Sequence, residues 1–333
     1  MGAKFGTKFG TKFGTRLGTK FGTKLRTKFG AKLGAKLGDK SLKLSITEAK
    51  TFNTSPRRWY LEHYLRRVPH GKPVALEIGS AVHEFFEALF TGSPIGNALY
   101  SATSYVEECA TSALKNNNPD LADDLREEWK VLEQILPHYK ERYPFQTVQV
   151  ETPLECALPG SKHILQGTPD RLAIWSDPYW HVQNRSLAGN KNIATYLETA
   201  KMDWHELGYA WLACNSPQSP LPEGVCYGGT MFNIVRKLRL TNSKGEVLHQ
   251  PEECFVQEFM PILPELVIRL TKTLVAIADR MEYYAENPHA LPLCDSICSR
   301  GRFDNSRCAY FYVCTGRDDI HDEKFFTTTE PRY

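Results

Sequence analysis

No stretch of the 333-residue chain approaches the roughly 20 uncharged apolar residues that a membrane span needs. An integral helical membrane protein is excluded on that ground. The ordinary hydrophobic (41%) and charged (24%) fractions also exclude a coiled coil and a wholly disordered chain. There is no secretory apolar segment, and the nine cysteines are an odd number. Both points favour a reducing compartment, hence a cytoplasmic location, or the host cytoplasm if the gene is viral. Acidic residues are almost missing from the N-terminus. Residues 1–43 hold 12 Lys and Arg against one acid, Asp39, whereas the rest of the chain holds 29 basic and 37 acidic residues. The net charge of +3 therefore hides a basic tail on a mildly acidic body. The body's composition does not itself predict nucleic-acid binding.

The tail repeats Gly-Thr-Lys-Phe over residues 2–38, with Leu for Phe and Ala for Thr in places. A period of four drifts against the helical 3.6, and each Gly costs a helix about 1 kcal/mol relative to Ala. The glycines weaken a strand as well. Residues 1–43 are therefore expected to be a disordered basic repeat. Its functional reading is a polybasic arm that adds sequence-independent phosphate affinity. The competing readings are a tandem repeat in the gene, a start codon placed too early, or a transit peptide. The last is opposed by few Arg and no Ser before Ser41.

The folded body starts near Leu44. Ser45 or Thr47 is placed to cap a first helix, with Glu48 as the capping-box partner of Ser45. Pro56 interrupts that helix, and Arg57-Arg58-Trp59-Tyr60-Leu61 restarts it through Arg67. Val82, Phe85, Phe86 and Leu89 mark the buried face of a helix over 76–90. Residues 98–115 and 120–143 read as two further amphipathic helices. The period then changes to two. Residues 147–158 and 163–175 read as paired strands around Pro159-Gly160, and 179–183 as a short third strand. A helix over 190–214, a strand over 225–235 and a helix over 262–285 complete an α/β order.

One feature carries chemistry. Asp170 lies on the second strand, and Gln183-Asn184-Arg185 on the next. With a carboxylate at 183 and a lysine at 185 this is the pattern of a metal nuclease. Carboxylates on two adjacent strands meet at a divalent cation, and a Lys two positions on shares the same strand face. It then polarises the attacking water or holds the phosphate.

Here the body, over residues 44–316, resembles the PD-(D/E)XK nuclease superfamily in its RecB-like, phage-type branch. Pro56-Arg57-Arg58-Trp59-Tyr60 resembles that branch's opening Cys-Pro-Arg helix, with Ser55 where Cys is usual. Gly79-Ser80-Ala81-Val82-His83 is similar to its Gly-x-x-x-His helix, and Gly167-Thr168-Pro169-Asp170 to its Gly-x-x-Asp strand. His205-Glu206-Leu207-Gly208-Tyr209 stands where the branch has Gln-x-x-x-Tyr. The resemblance implies an α/β restriction-endonuclease-like core, a mixed central sheet flanked by helices, with additional N-terminal helices. Residues 317–333, beyond the resemblance, are expected to be a flexible tail. The resemblance also implies His83 and Asp170 as ligands of Mg²⁺ or Mn²⁺. Their ligating atoms should then lie within about 6 Å of each other. His205, Tyr209, Arg57 and Arg58 would contact DNA.

The motif departs where chemistry matters most. Gln183 keeps an oxygen but loses a negative charge, and Arg185 keeps its charge but cannot transfer a proton at ordinary pH. In this reading Gln183 is a weak ligand and Arg185 clamps the phosphate. Glu155, or else Glu151, would replace the missing carboxylate. Lys201 or Lys191 would replace the ammonium, with Glu198 beside Lys201. If nothing replaces them, Gln183→Glu with Arg185→Lys should restore cleavage. Cys294, Cys298, Cys308 and Cys314 fall within 21 residues, a spacing open to a zinc ion, a 4Fe–4S cluster or buried thiols.

Three functions follow. The first is a metal-dependent DNA nuclease of recombination, repair or phage DNA processing, with recombination proteins as partners and no membrane. The second is a catalytically impaired DNA-binding protein on the same fold. The third is a structural scaffold whose cysteines form a C-terminal metal staple. A second carboxylate within about 5 Å of Asp170 separates the first from the second. If the tail is a polybasic arm, deleting residues 1–43 weakens DNA binding and flattens its salt dependence while leaving any sequence preference. An unchanged slope of log K against log salt in a fluorescence-anisotropy titration would remove that role.

Overall fold

The computed structural model describes residues 41–69, 73–175, 178–189, 191–222, 227–292, 308, 310–314, 319–323 and 326–329. The expected disordered tail up to residue 40, Cys294 and Cys298 lie outside the described residues.

In chain order the elements begin with β1 (Lys43–Ser45), α1 (Ile46–Thr54) and α2 (Pro56–Trp59), which a π-turn continues over Tyr60–Tyr64. Next come β2 (Arg67–Pro69) and three long helices, α3 (Val74–Phe90), α4 (Ile95–Lys115) and α5 (Pro119–Ile135). Five strands follow: β3 (Gln146–Val150), β4 (Leu154–Ala157), β5 (Ile164–Gly167), β6 (Arg171–Ile174) and β7 (Tyr179–Ala188). The chain continues through α6 (Ile193–Ala200), α7 (Trp204–Asn215), β8 (Tyr227–Lys237), β9 (Phe255–Pro261) and α8 (Pro264–Glu286). A short turn of helix, α9 (Phe311–Cys314), and β10 (Phe326–Thr328) come last. No helix among the described residues is long and apolar enough to cross a membrane.

These elements form two compact units. The first comprises Pro73–Glu155 and Gly167–Val267. It holds a five-stranded sheet in the order β3-β6-β7-β8-β9. The β7–β8 pair is parallel and the other pairs are antiparallel, so the sheet is mixed. Alternation along β7 and β8 sends two sets of side chains to opposite faces. Val235 and Leu238 pack with Phe85, Phe86, Val106, Leu132 and Ile135 of α3–α5 in the main core. Phe232 and Ile234 pack with Ile193, Tyr196 and Leu197 of α6 on the other. Helices therefore flank a mixed α/β sheet, as expected of a restriction-endonuclease-like core.

The second unit comprises, of the described residues, 41–69, Cys156–Gln166 and those from Ile268 on. The capping box expected at Ser45 is formed: its hydroxyl accepts from the Glu48 N–H at 3.2 Å, and Glu48 accepts from the Ser45 N–H at 2.7 Å. β1 runs parallel to β5, with Leu44 opposite Leu165. His163 is fully buried here. Its Nδ1 accepts from the Leu42 N–H at 3.2 Å, and its Nε2 lies 3.1 Å from Asp279 Oδ1, which clamps the start of the fold. Residues 317–333 are not all a flexible tail, because β10 pairs antiparallel with β2. Phe326 is buried there against Leu61 and Tyr310, and that burial draws the segment into the fold.

The expected strands are right in place and wrong in continuity. Residues 147–158 form β3 and β4, and residues 163–175 form β5 and β6. Pro153 and Pro169, which lack an N–H for the ladder, stand in the two gaps. Glu151 follows the end of β3 at a positive φ of 41°. The helix expected over 190–214 is two, because Asp203 accepts from the His205 N–H at 2.8 Å and caps a new start. β7 is ten residues long, where a short strand over 179–183 was expected. The whole of β9 was not anticipated.

Below the main core a row of amides crosses the sheet. Asn184, Asn233 and Gln257 are direct neighbours on β7, β8 and β9. Asn233 Nδ2 donates to Asn184 Oδ1 at 2.9 Å. Gln257 Nε2 donates to Asn233 Oδ1 at 3.2 Å and to the Tyr139 hydroxyl at 3.0 Å. All three amides are buried, so each depends on the others for hydrogen bonds. Removing the middle one takes the Asn233 donor from the buried Asn184 Oδ1 and leaves Gln257 Nε2 with Tyr139 alone. Asn233→Ala should therefore lower the unfolding free energy by about 1–3 kcal/mol. A urea melt unchanged from wild type would show that the row adds nothing to stability.

Candidate metal centre

The two strand breaks and helix α3 bring three ligating groups together. His83, on the second half of α3, places Nδ1 3.5 Å from Asp170 Oδ2 and 3.7 Å from Glu151 Oε1. One atom from each of the three side chains lies within 4.8 Å of the other two. Two backbone bonds hold this geometry. The Asn184 N–H donates to Asp170 Oδ2 at 2.7 Å, and the Glu151 N–H donates to the Asp170 carbonyl at 3.1 Å. The triad borders a cleft of about 620 Å³, whose lining includes Gly79, His83, Glu87, Glu151, Asn184 and Arg185.

The protonation of the triad reflects crowding of like charge. Burial works against a charged His83, but the Glu151 and Asp170 carboxylates outweigh it and raise its pKa above 6.5. Burial also pushes the Glu151 carboxyl upward, and the nearby Asp170 charge adds to this against the pull of His83. Two carboxylates and an imidazole at this separation are a fit for one small divalent cation. The oxygens suit Mg²⁺ or Mn²⁺, and the single imidazole suits Mn²⁺ better.

The other expected site residues are distributed differently. Glu151, not Glu155, is the carboxylate that lies beside His83 and Asp170. Glu155 lies beyond the break on β4, its N–H donating to Ser216 Oγ at 3.3 Å, and it is outside the triad. Lys201, at the C-terminal end of α6, pairs with exposed Glu198 at 2.6 Å and does not line the cleft. Gln183 is buried (2% exposed), and its amide is best oriented with the oxygen accepting from Arg185 Nη2 at 2.6 Å and from Nη1. That oxygen is therefore taken by a guanidinium and is not offered to the cation.

Arg185 does line the cleft and is 29% exposed. Its guanidinium also bonds Tyr196 and faces Asp170 and Glu206; together these outweigh burial and raise its pKa. Tyr209 packs edge-on against His181, ring centroids 4.8 Å apart. It also lies so close to Gly167 that a Cβ there would meet the Tyr209 ring at 2.9 Å. The glycine of Gly167-Thr168-Pro169-Asp170 thus makes room for the tyrosine. His205 bonds to Asp203, its own helix cap, at 3.1 Å. Arg57 and Arg58 belong to the second unit, where Arg58 pairs with Glu62 at 2.6 Å. Cys308 and Cys314 are half-buried beside Leu61, Tyr310 and Phe326.

Two buried residues escaped the sequence reading, Glu206 and His181. Burial raises the Glu206 carboxyl to about 7, against the pull of Arg185 and Thr230. Burial, with the charge of Arg185, holds His181 neutral and lowers its pKa to about 3. A signal for Glu206 was present. It is the one acid of a helix whose following residues, Leu207, Ala210, Trp211 and Leu212, are apolar and buried, so it starts a buried face.

Glu151 combines a left-handed backbone with a like-charge neighbour, both of which destabilise the metal-free protein. Asn tolerates that φ and carries no charge. Glu151→Asn should therefore leave the metal-free thermal midpoint equal or higher. Mn²⁺ affinity measured by calorimetry should fall at least ~10-fold. Undiminished Mn²⁺ affinity would place Glu151 outside the ligand set.

Comparison with known proteins completes the description. No curated protein matches the chain by sequence. The crystal structure of SSO0001 is similar at 14% identity over 66% of this chain and 84% of that one, with a TM-score of 0.24, and no argument rests on that likeness. The model of the PD-(D/E)XK nuclease superfamily matches residues 43–314, which contain every residue of the triad and the cleft. The chain belongs to that superfamily.

Proposed function

We propose that the protein is a Mg²⁺- or Mn²⁺-dependent DNA nuclease that hydrolyses phosphodiester bonds at the His83–Glu151–Asp170 centre. The observation that carries this reading is the convergence of these three groups within 4.8 Å, beside the cleft that Arg185 helps to line. Glu151 supplies the carboxylate that Gln183 lacks, from a neighbouring strand end. A cation bound there would lower the pKa of its water and withdraw charge from a phosphoryl oxygen.

The chain's own residues supply the rest. Asp170 is held by the Asn184 N–H, so its orientation is set before any ligand arrives. Arg185 presents a fixed positive charge on the cleft wall, suited to a phosphate oxygen. The motif order from Gly79-x-x-x-His83 through Gly167-x-x-Asp170 to His205-x-x-x-Tyr209 supports the RecB-like, phage-type branch. It also supports a role in recombination or DNA processing in the cytoplasm. The four C-terminal cysteines would serve as a zinc or 4Fe–4S staple.

One observation favours a second reading, a DNA-binding protein with impaired cleavage. The described residues lining the cleft include no lysine. Arginine stays protonated at any assay pH and cannot act as a general base. The two readings separate in one assay. Full-length protein is incubated with linear, circular and single-stranded DNA in Mn²⁺ or Mg²⁺, beside Asp170→Ala. The nuclease reading expects cleavage by the wild type and a loss of at least ~10³-fold in the variant. Binding without cleavage under every condition would leave the second reading standing.

A further inference from the structure

The side chains of His181, Gln183 and Arg185 share one face of β7, and Glu206 of α7 lies against that face. They close a ring. Arg185 donates to the Gln183 amide oxygen, and the Gln183 nitrogen donates to His181 Nε2 at 3.1 Å. Since Nε2 accepts, the proton of the neutral imidazole sits on Nδ1, which faces Glu206 Oε2 at 3.7 Å. Glu206 Oε1 in turn faces Arg185 Nη2 at 3.8 Å. Thr230 Oγ1 donates to Glu206 Oε2 at 2.9 Å and holds the carboxylate in place. His181 is 0% exposed, and Gln183 and Glu206 are each 2% exposed. Water cannot substitute for a missing member.

The ring explains why residue 183 is Gln. Its side chain must accept from a guanidinium and donate to an imidazole nitrogen, which an amide does without having to take up a proton. A carboxylate at 183 would have no proton for His181 Nε2. It would also place a second buried negative charge beside Glu206, with one arginine to balance both. An uncompensated buried charge costs several kcal/mol.

We propose that Glu206 balances the charge of Arg185 from the α7 side, and that the Arg185–Gln183–His181–Glu206 ring is the positioning device aiming Arg185 into the cleft. His181, Gln183 and Glu206 are then positioning residues acting through Arg185, and their part in cleavage rests on the nuclease reading. The restoration Gln183→Glu with Arg185→Lys does not recover a family-type site while Glu206 remains. It crowds two carboxylates around a single ammonium. The ring does, however, close in the reverse sense. With Glu at 183 and Gln at 206, His181 donates from Nε2 to the new carboxylate and accepts at Nδ1 from the new amide.

The test uses full-length wild type, Gln183→Glu, Glu206→Gln and the double variant. Each is followed by thermal unfolding in EDTA, by Mn²⁺-dependent plasmid cleavage, and by the ¹⁵N shifts of the His181 ring. We expect each single variant to unfold at a lower temperature and to cleave at least ~10-fold more slowly. The double variant should recover the midpoint to within a few degrees and the rate to within about threefold. Its His181 should change tautomer, a readout that simple repacking would not produce. If a single variant yields no folded protein, recovery of a folded double variant supports the exchange. Additive loss in the double variant, or faster cleavage by Gln183→Glu alone, overturns it. A wild type that does not cleave counts against the nuclease reading alone. The midpoints and the tautomer then decide the proposal.

Discussion

The burial of Asp170 is the constraint from which the site follows. Its carboxylate is 5% exposed and shares a small volume with Glu151. Such a charge must be compensated on every side, and three groups do so. The Asn184 N–H bonds it directly, His83 faces it across 3.5 Å, and Arg185 contributes its field. Each compensator has its own requirement. Arg185 needs Glu206 and Gln183, Gln183 needs a neutral His181, and Asn184 needs Asn233 and Gln257 beneath it. Polar order therefore spreads from one buried acid into β7, β8, β9 and α7.

The mixed sheet makes this arrangement feasible because it has two usable faces at one strand. Residues 181, 183 and 185 of β7 face α6 and α7 and carry charge compensation. Residue 184, between them, joins the amide row on the opposite face, beside the core made with α3–α5. A strand places these two sets within one residue of each other, which a helix does not. The breaks at Pro153 and Pro169 end the ladder beside Glu151 and Asp170, so both acids lie at strand ends. The positive φ of Glu151 is a local cost of the same geometry.

Much of this was legible in the chain. Capping residues, periodicity and turn prolines located α1, α3, α4 and the first hairpin to within a few residues, because those signals are local; α5 starts where expected but ends at Ile135, well short of residue 143. The glycine at 167, the acid at 170 and the histidine at 83 stood out by motif order. The choice between Glu151 and Glu155 was not legible. Both alternate with apolar neighbours, and only the break after β3 decides which one turns toward Asp170. Lys201 illustrates the opposite error. It is near in sequence, but the end of α6 directs it to Glu198 and away from the cleft.

By itself, the sequence determined an α/β chain with a basic N-terminal repeat, a histidine and an aspartate at metal-ligand positions, and an altered motif at Gln183 and Arg185. Those are properties of residue type and short-range period. Tertiary structure alone decided what the alteration means. Glu206 reaches Arg185 across the packing of α7 on the sheet, and His181 stays neutral because that packing removes it from water. Neither relation has a local period to reveal it. Charge compensation acts through space, between side chains that the chain order separates and only the folded sheet brings together.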